Sequence, residues 1–566
     1  MLSLEELGPA LRAAHYYRPG QIIAYGVDRA ARSVERWSPV GLERVGSGLL
    51  AGRSIDLSFL QAWGRRDSCA ALAPRWRPDR HGDPRTGVHR FVGVERTGWG
   101  VDDWGQGAAG SSLSELWLYN LHYFDVPAAG VGAHGLGPWQ GWLTERLSSH
   151  WASHRAGRGV AWKPYPVAVR LQNLLRIWAL ASVSPGGLPS ALADQLERHC
   201  RAATLHLAWR LEHQLGANHL LRELCALALA ARTFGLRPLF SLARSAIERE
   251  VQRQFGSAGG HEERSPSYHL ELLRDLLELQ LALGAEAPVG LDIVVSAGLD
   301  FSARIEHPDG DVPLFNDSQL EHGHSREQLS VLAGHVPAVE DGLWCFEDEG
   351  FVVARLGEAH LVVDCGRFGA PNQPAHAHCG ALSFEYSWGG IRQVVNRGTM
   401  AYGEGPDRRA TRGTSFHSTV QFGDLEQAEL WRGFRMGRRN RPVLESARSS
   451  GGRVEILGSL TWAQTGSPHH LRRFVLESDG TLFVQDEVLN TPTGAPPVSR
   501  FFLPQGSGVD VSVEGAEERS DHVTLYAALG SPYPGRCVTV SPAVAAAKIG
   551  RVLRWSTRIE PNRHLA

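Results

Sequence analysis

His376 and His378, two histidines at i and i+2, head the densest run of reactive side chains in the sequence, followed by Asn396, Tyr402, Arg408, Arg412 and His417. On an extended segment this spacing points both imidazoles the same way, which is how a strand presents two metal ligands, or a base beside a ligand. Three further places interrupt an otherwise apolar, helical stretch. Asn218-His219 falls where a helix begins, so its plain reading is an N-cap with a solvent-facing neighbour. In Arg264-Ser265-Pro266-Ser267-Tyr268-His269, serine and proline start a helix with a tyrosine just inside it, and the plain reading is a cap plus a half-buried ring. Asn316-Asp317, in PLFNDSQ, is a turn by composition and ordinarily makes an Asx turn.

Two kinds of scaffold must position these residues. From Leu116 to about Gly334 apolar residues recur at i, i+3, i+4 and i+7 between Gly and Pro breaks, as in Pro138–His154, Tyr165–Ser182, Asn218–Gly235 and Ser267–Gly284. This pattern predicts successive helices. Helical hairpins in a row, without sustained heptads, predict an α/α toroid, an incomplete barrel of hairpins. After about Asp341, Gly350–Gly366, Ala381–Asn396, Arg453–Trp462 and Thr481–Leu489 alternate β-branched or aromatic residues with polar ones. That half is predicted to be an antiparallel β-sandwich. The expected class is therefore α+β multidomain: an irregular segment over 1–112, a toroid over 113–335 and a sandwich over 336–566.

The 566 residues, 43% hydrophobic and 21% charged, suffice for two or three cores. A net charge of -2 supplies no general basic field for nucleic acid or an anionic membrane. An anionic partner would have to be held by local arginines. The seven cysteines include no CxxC pair, so no disulfide framework is implied. No run of about 18 apolar residues predicts a membrane span. The start, with Glu5 and Glu6, does not read as a secretory signal. The expectation is a cytoplasmic protein, or a periplasmic or secreted one if a leader has been removed.

The string AHAHCGALSFEYSWGGIRQVVNRGTMAYGEGPDRRATRGTSFHSTV, Ala375 to Val420, resembles the C-terminal signature of heparinase II/III-like polysaccharide lyases, which include oligoalginate lyases. Leu116–Asp125, Trp162–Leu175, Gln214–Leu224, Gly259–Leu273 and Pro313–Ser318 are similar to family segments in content and order. The resemblance implies a toroid joined to a sandwich, and β-elimination on a uronate-containing polysaccharide or oligosaccharide. It implies that Asn218, helped by His219, neutralises the uronate carboxylate, where a donor stabilises the developing enolate-like charge. Tyr268 matches the catalytic tyrosine, His376 the histidine that assists or replaces it as base, and Tyr402 lies near a leaving-group acid. Arg170, Glu263, Arg408 and Arg412 are implied as substrate contacts, although salt bridges explain the arginines equally well.

The resemblance also implies one structural zinc on His378, Asn396 and His417. Here Asn396 stands where an aspartate is expected and Gly380 replaces another acid, which lowers the expected affinity. Cys379 is a soft donor, but on a regular strand it would face away from His378.

Two other functions compete with a lyase. A glycoside hydrolase on the same toroid needs two carboxylates, for which Glu262 or Glu263 with Asp317 are the candidates. A non-catalytic protein that binds exopolysaccharide during its synthesis or export would explain the altered Asn396 and Gly380.

Overall fold

The structure, a computed structural model, describes residues 4–37, 54–75, 81–104, 113–154, 157–320, 323–463, 467–492, 494–542 and 552–562. The chain forms two compact units: Arg18–Gln254 with Glu271–Val295, and Met1–Tyr17 with Phe255–Leu270 and Ser296–Ala566. This differs from contiguous blocks divided at 335. Residues 255–270 and 296–335 belong with the sheets: Phe301, Ile305 and Phe315 share a buried apolar cluster with Phe346, Phe351, Val353 and Val362, and polar side chains bond across as well. Arg264 donates to Asp364, and the His307 ring bonds to Glu385 and Ser387.

The first unit is helical. Its central helix, Pro164–Ala181, opens on a proline whose missing N–H costs nothing at that position, and is buried along its length apart from Tyr165 and Leu180. A helix buried on all faces belongs inside a ring of neighbours. Ser190–Arg210 and Ala217–Thr233 pack on it, and Arg237–Gln254 returns along the latter. Arg176 crosses to Glu278 at 2.9 Å, with both side chains fully buried. Trp117, Tyr123 and Trp162 are buried as core of this unit.

The leading segment is not irregular as expected. Among its described residues are the helices Leu4–Ala14, Pro19–Trp37, Leu57–Gly64 and Asp67–Ala71 and a short hairpin of His89–Phe91 with Val94–Arg96. The first two helices each carry a marked apolar stripe, so their helical period is present in the sequence despite Pro9, Gly20 and Gly26.

The second unit is built on antiparallel sheets. One five-stranded meander runs Gly342–Phe346, Phe351–Leu356, Ala359–Asp364, Phe384–Trp388 and Ile391–Val394. A six-stranded sheet orders Pro442–Ser450, Arg453–Thr461, His469–Glu477, Leu482–Leu489, Leu553–Pro561 and Val509–Glu514. A four-stranded sheet orders Ala516–Ala528, Ser531–Pro542, Pro497–Pro504 and Val420–Phe422. Buried and exposed positions alternate along Leu482–Leu489, the pattern of a strand with one covered face. Phe384, Ile456, Phe474, Val484, Phe501 and Val538 meet in one apolar core drawn from all three sheets, which makes the unit a sandwich.

The segment around 325, which has no apolar period, nevertheless holds a helix, Arg326–Ala333. Ser325 and Gln328 close it with a reciprocal capping box, a local signal that the sequence does carry.

Candidate functional site

Tyr268 lies in the first turns of the helix Pro266–Leu283, as its Ser-Pro lead predicts. Its hydroxyl is 2.9 Å from that of Tyr402, and its ring lies 4.3 Å from the His376 ring at 34°. Tyr402 in turn lies under the guanidinium of Arg408, 4.7 Å from its ring centre. Burial pushes the Tyr402 phenol well up, with Asp317's charge adding to it, so Tyr402 stays a proton-bearing hydroxyl.

Asp317 organises this cluster. Fully buried, it accepts from His376 Nδ1 at 2.9 Å, His378 Nε2 at 2.8 Å and both terminal nitrogens of Arg408, the second at 2.7 Å. Burial alone would raise this carboxyl, but Arg408 and the two imidazoles hold it well below the usual carboxylate range. A carboxylate only accepts, so the proton of neutral His376 sits on Nδ1 and that of His378 on Nε2. His376 therefore presents Nε2 as its proton-accepting atom. Burial pulls the His376 imidazole down, while Glu263's charge and the Asp317 bond more than offset it, leaving the pKa above the usual 6.5.

The histidines do not stand on a strand. The next strand begins at Phe384 rather than Ala381, and residues 376–380 form a loop. Their common direction comes from Asp317. Asn316, at φ 56°, accepts from His378 N–H at 3.0 Å and donates to Arg264 O at 2.7 Å, tying the tyrosine's loop to the histidines' loop. The Asn-Asp turn is thus the brace of the cluster. Its role could not be read from the sequence, where the same dipeptide commonly makes an Asx turn. Asp317 also fails the requirements of a hydrolase acid, since it is sealed from solvent and saturated with donors.

Arg264 supports the same corner. Its buried guanidinium reaches Glu349 O at 2.6 Å, Gly350 O at 3.0 Å, Arg367 O and Asp364. It lies so close to Gly366 that a Cβ there would come 2.5 Å from Arg264 Cζ. We predict that Arg264→Ala, by stranding buried Asp364, costs about 3–5 kcal/mol of stability. Thermal denaturation measures this, and a loss below about 1 kcal/mol would contradict it.

Arg412 does not reach outward. It donates to the carbonyls of Ala377 at 2.9 Å, Pro374 at 2.9 Å and Gly433 at 3.0 Å. With Arg408 committed to Asp317, both arginines hold the site together, and neither is free for the anionic sugar expected of it. Glu263 is buried and acts on His376 through its charge.

Of the three expected zinc ligands, Asn396 is engaged with its neighbours. His417 Nδ1 bonds Asn396 Oδ1 at 3.1 Å, and Asn396 Nδ2 bonds Glu385 at 3.4 Å, so the amide orients His417. What remains is His378 Nδ1 and His417 Nε2, both buried without a hydrogen-bond partner, on rings 5.2 Å apart. Two nitrogens without a carboxylate fall short of the four ligands zinc takes. Cys379 turns its thiol to Ala428 O at 3.7 Å, and burial pushes that thiol well up.

The other expected residues lie in the helical unit. Gly216, at φ 64°, caps the helix Ala217–Thr233, so Asn218 is inside its first turn and is not the N-cap. His219 Nδ1 is 2.7 Å from Glu212 Oε2, and its ring is 4.3 Å from that of Tyr165. Arg170 is buried, donating through Nη1 to His122 O at 3.3 Å and lying 5.4 Å from the Trp162 ring, while its Nη2 has no hydrogen-bond partner.

Comparison with known proteins adds to this geometry. The family model described as Heparinase II/III N-terminus matches residues 139–340, and that described as Heparinase II/III-like, C-terminal, matches 339–530. Among solved structures, a heparinase III is 16% identical with a TM-score of 0.67, covering 90% of this chain and 86% of its own. A heparan sulfate lyase mutant from Pedobacter heparinus is 14% identical with a TM-score of 0.60, covering 94% and 90%. A chondroitin AC lyase from Streptomyces coelicolor A3 is 13% identical with a TM-score of 0.52, covering 92% and 82%. At these identities the likeness is one of fold. Comparison with curated proteins finds no match. Among the described residues no helix is long and apolar enough to cross a membrane.

Proposed function

From the premise that this chain belongs to the heparinase II/III-like family, we propose that it is a carbon–oxygen lyase that cleaves a uronate-containing polysaccharide or oligosaccharide by β-elimination. The observation that carries the reading is the Tyr268–His376 pair, with His376 fixed through Nδ1 by Asp317.

A base removes the proton at C5, the electron pair forms the C4=C5 double bond, and the C4–O bond breaks as an acid protonates the leaving oxygen. A phenol serves as base near neutrality only beside an uncompensated cation, and the cation here, Arg408, is neutralised by Asp317. His376 Nε2 is therefore assigned the base and Tyr268 the acid, with Tyr402's hydroxyl holding the Tyr268 hydroxyl in place. Asn218 is assigned the substrate carboxylate, as its segment's resemblance implies. The solved relatives are named for heparan sulfate and chondroitin, which puts glycosaminoglycans first among candidate substrates.

The test is incubation with glycosaminoglycans, alginate and bacterial exopolysaccharides, following the ultraviolet absorbance of the unsaturated product. No such product from any of them would defeat the lyase reading. New reducing ends without unsaturation would favour a hydrolase, and binding without turnover a carrier. The acid limb of kcat/KM is also expected above pH 6.5, because the base must be neutral and its pKa is raised. Glu263→Gln removes one raising charge and should move the limb to lower pH. A limb that stays where it is would remove His376 from the role of base.

A further inference from the structure

We infer that Glu212, His219 and Glu223 form a binding site for one divalent ion of the zinc or manganese class, separate from the Asp317 cluster. His219 and Glu223 are four residues apart on the helix Ala217–Thr233 and so share a face. Glu212 comes from the turn before it, held there because its N–H donates to Glu223 Oε2 at 2.7 Å. One donor atom from each of the three lies within 4.8 Å of the others.

The second observation is independent of the acids' proximity. Glu223 is fully buried, and its Oε1 has no hydrogen-bond partner. A buried carboxylate oxygen with nothing to accept from is costly, and a cation is one remedy. The two carboxyls also lie side by side, an oxygen of each within 4.8 Å of the other. Two carboxylates this close share a positive species, either a proton or a metal ion, and a bound ion expels the proton.

One imidazole nitrogen with two carboxylate oxygens suits zinc or manganese, with water completing the shell. Calcium prefers six to eight oxygens and no nitrogen. His219 would ligate through Nδ1, now 2.7 Å from Glu212, while its ring rests on Tyr165. The ion would fix the turn 212–216 immediately before Asn218.

The inference does not depend on the lyase reading, and its test reads metal rather than activity. Protein stripped by a chelator and dialysed is titrated calorimetrically with Zn2+, Mn2+ and Ca2+, and its melting temperature is followed. The expected result is about one Zn2+ or Mn2+ per chain with a rise in melting temperature of a few degrees. Glu223→Gln, and separately His219→Phe, which keeps the ring against Tyr165, should each weaken binding about 100-fold. His417→Gln should leave it intact. No stoichiometric binding by the wild type would overturn the inference. So would a response to Ca2+ alone, wild-type affinity in both Glu223→Gln and His219→Phe, or loss of the ion in His417→Gln.

Discussion

Tyr268→Phe should lower kcat about 1,000-fold and leave KM within a few-fold, because it removes a proton carrier and almost nothing else. The lost hydroxyl's 2.9 Å bond to Tyr402, in a half-buried position, is worth about 1 kcal/mol of stability. The ring keeps its 4.3 Å packing on His376, so the imidazole should stay in place. Binding of polymer should be nearly unchanged, and initial rates of unsaturated product report the loss. Tyr402→Phe should cost far less, about tenfold, since Tyr402 orients the acid without transferring the proton. If Tyr268→Phe retained more than a tenth of the wild-type kcat, the elimination would have to find its acid elsewhere. If neither protein turned over yet both bound polymer, the carrier function would be the better reading.

Much of this was legible in the sequence, and the boundary of legibility has physical causes. The helices Pro164–Ala181, Ala217–Thr233 and Pro266–Leu283 and the paired strands from Phe351 to Asp364 follow from local periodicity, which side-chain burial enforces residue by residue. Tyr268, His376, Tyr402 and Arg408 were legible because their segments resemble a family's, and they do converge. What escaped was set by contacts distant in sequence. Asp317 acquires its character from partners 59 to 91 residues away, and no local pattern marks such a carboxylate. The arginines' internal partners escaped for the same reason. Arg412 looks like a free cation in a sequence, whereas it is spent on backbone carbonyls, and Arg170 is buried beside Trp162. Asn396 escaped because substitution of an expected ligand looks like weakening, whereas the amide has taken up a hydrogen bond to His417.

Asp317→Asn should be nearly as damaging as loss of the base itself, lowering kcat about 1,000- to 10,000-fold. The amide has one accepting oxygen where the carboxylate has two. If its NH2 takes the Oδ2 position, it meets an Arg408 nitrogen, donor against donor, and His376 Nδ1, which must surrender its proton and accept; the proton then moves to Nε2 and the base is lost. If the NH2 takes the Oδ1 position, it faces His378 and an Arg408 nitrogen, and a donor is set against a donor. In both cases buried Arg408 loses its counter-charge, which costs about 3–5 kcal/mol of stability and is read by thermal denaturation. The pH profile separates this positioning role from a merely structural one. Asp317 raises the His376 pKa and Arg408 lowers it. Residual activity of Asp317→Asn should therefore show an acid limb moved to lower pH, and high pH should not restore the rate, because a wrong tautomer is not cured by deprotonation. Arg408→Gln should move the limb the other way, to higher pH, with a smaller loss of kcat at its plateau. Shifts of the same sign in the two variants, or full recovery of Asp317→Asn at high pH, would mean that Asp317 does not set the tautomer of His376.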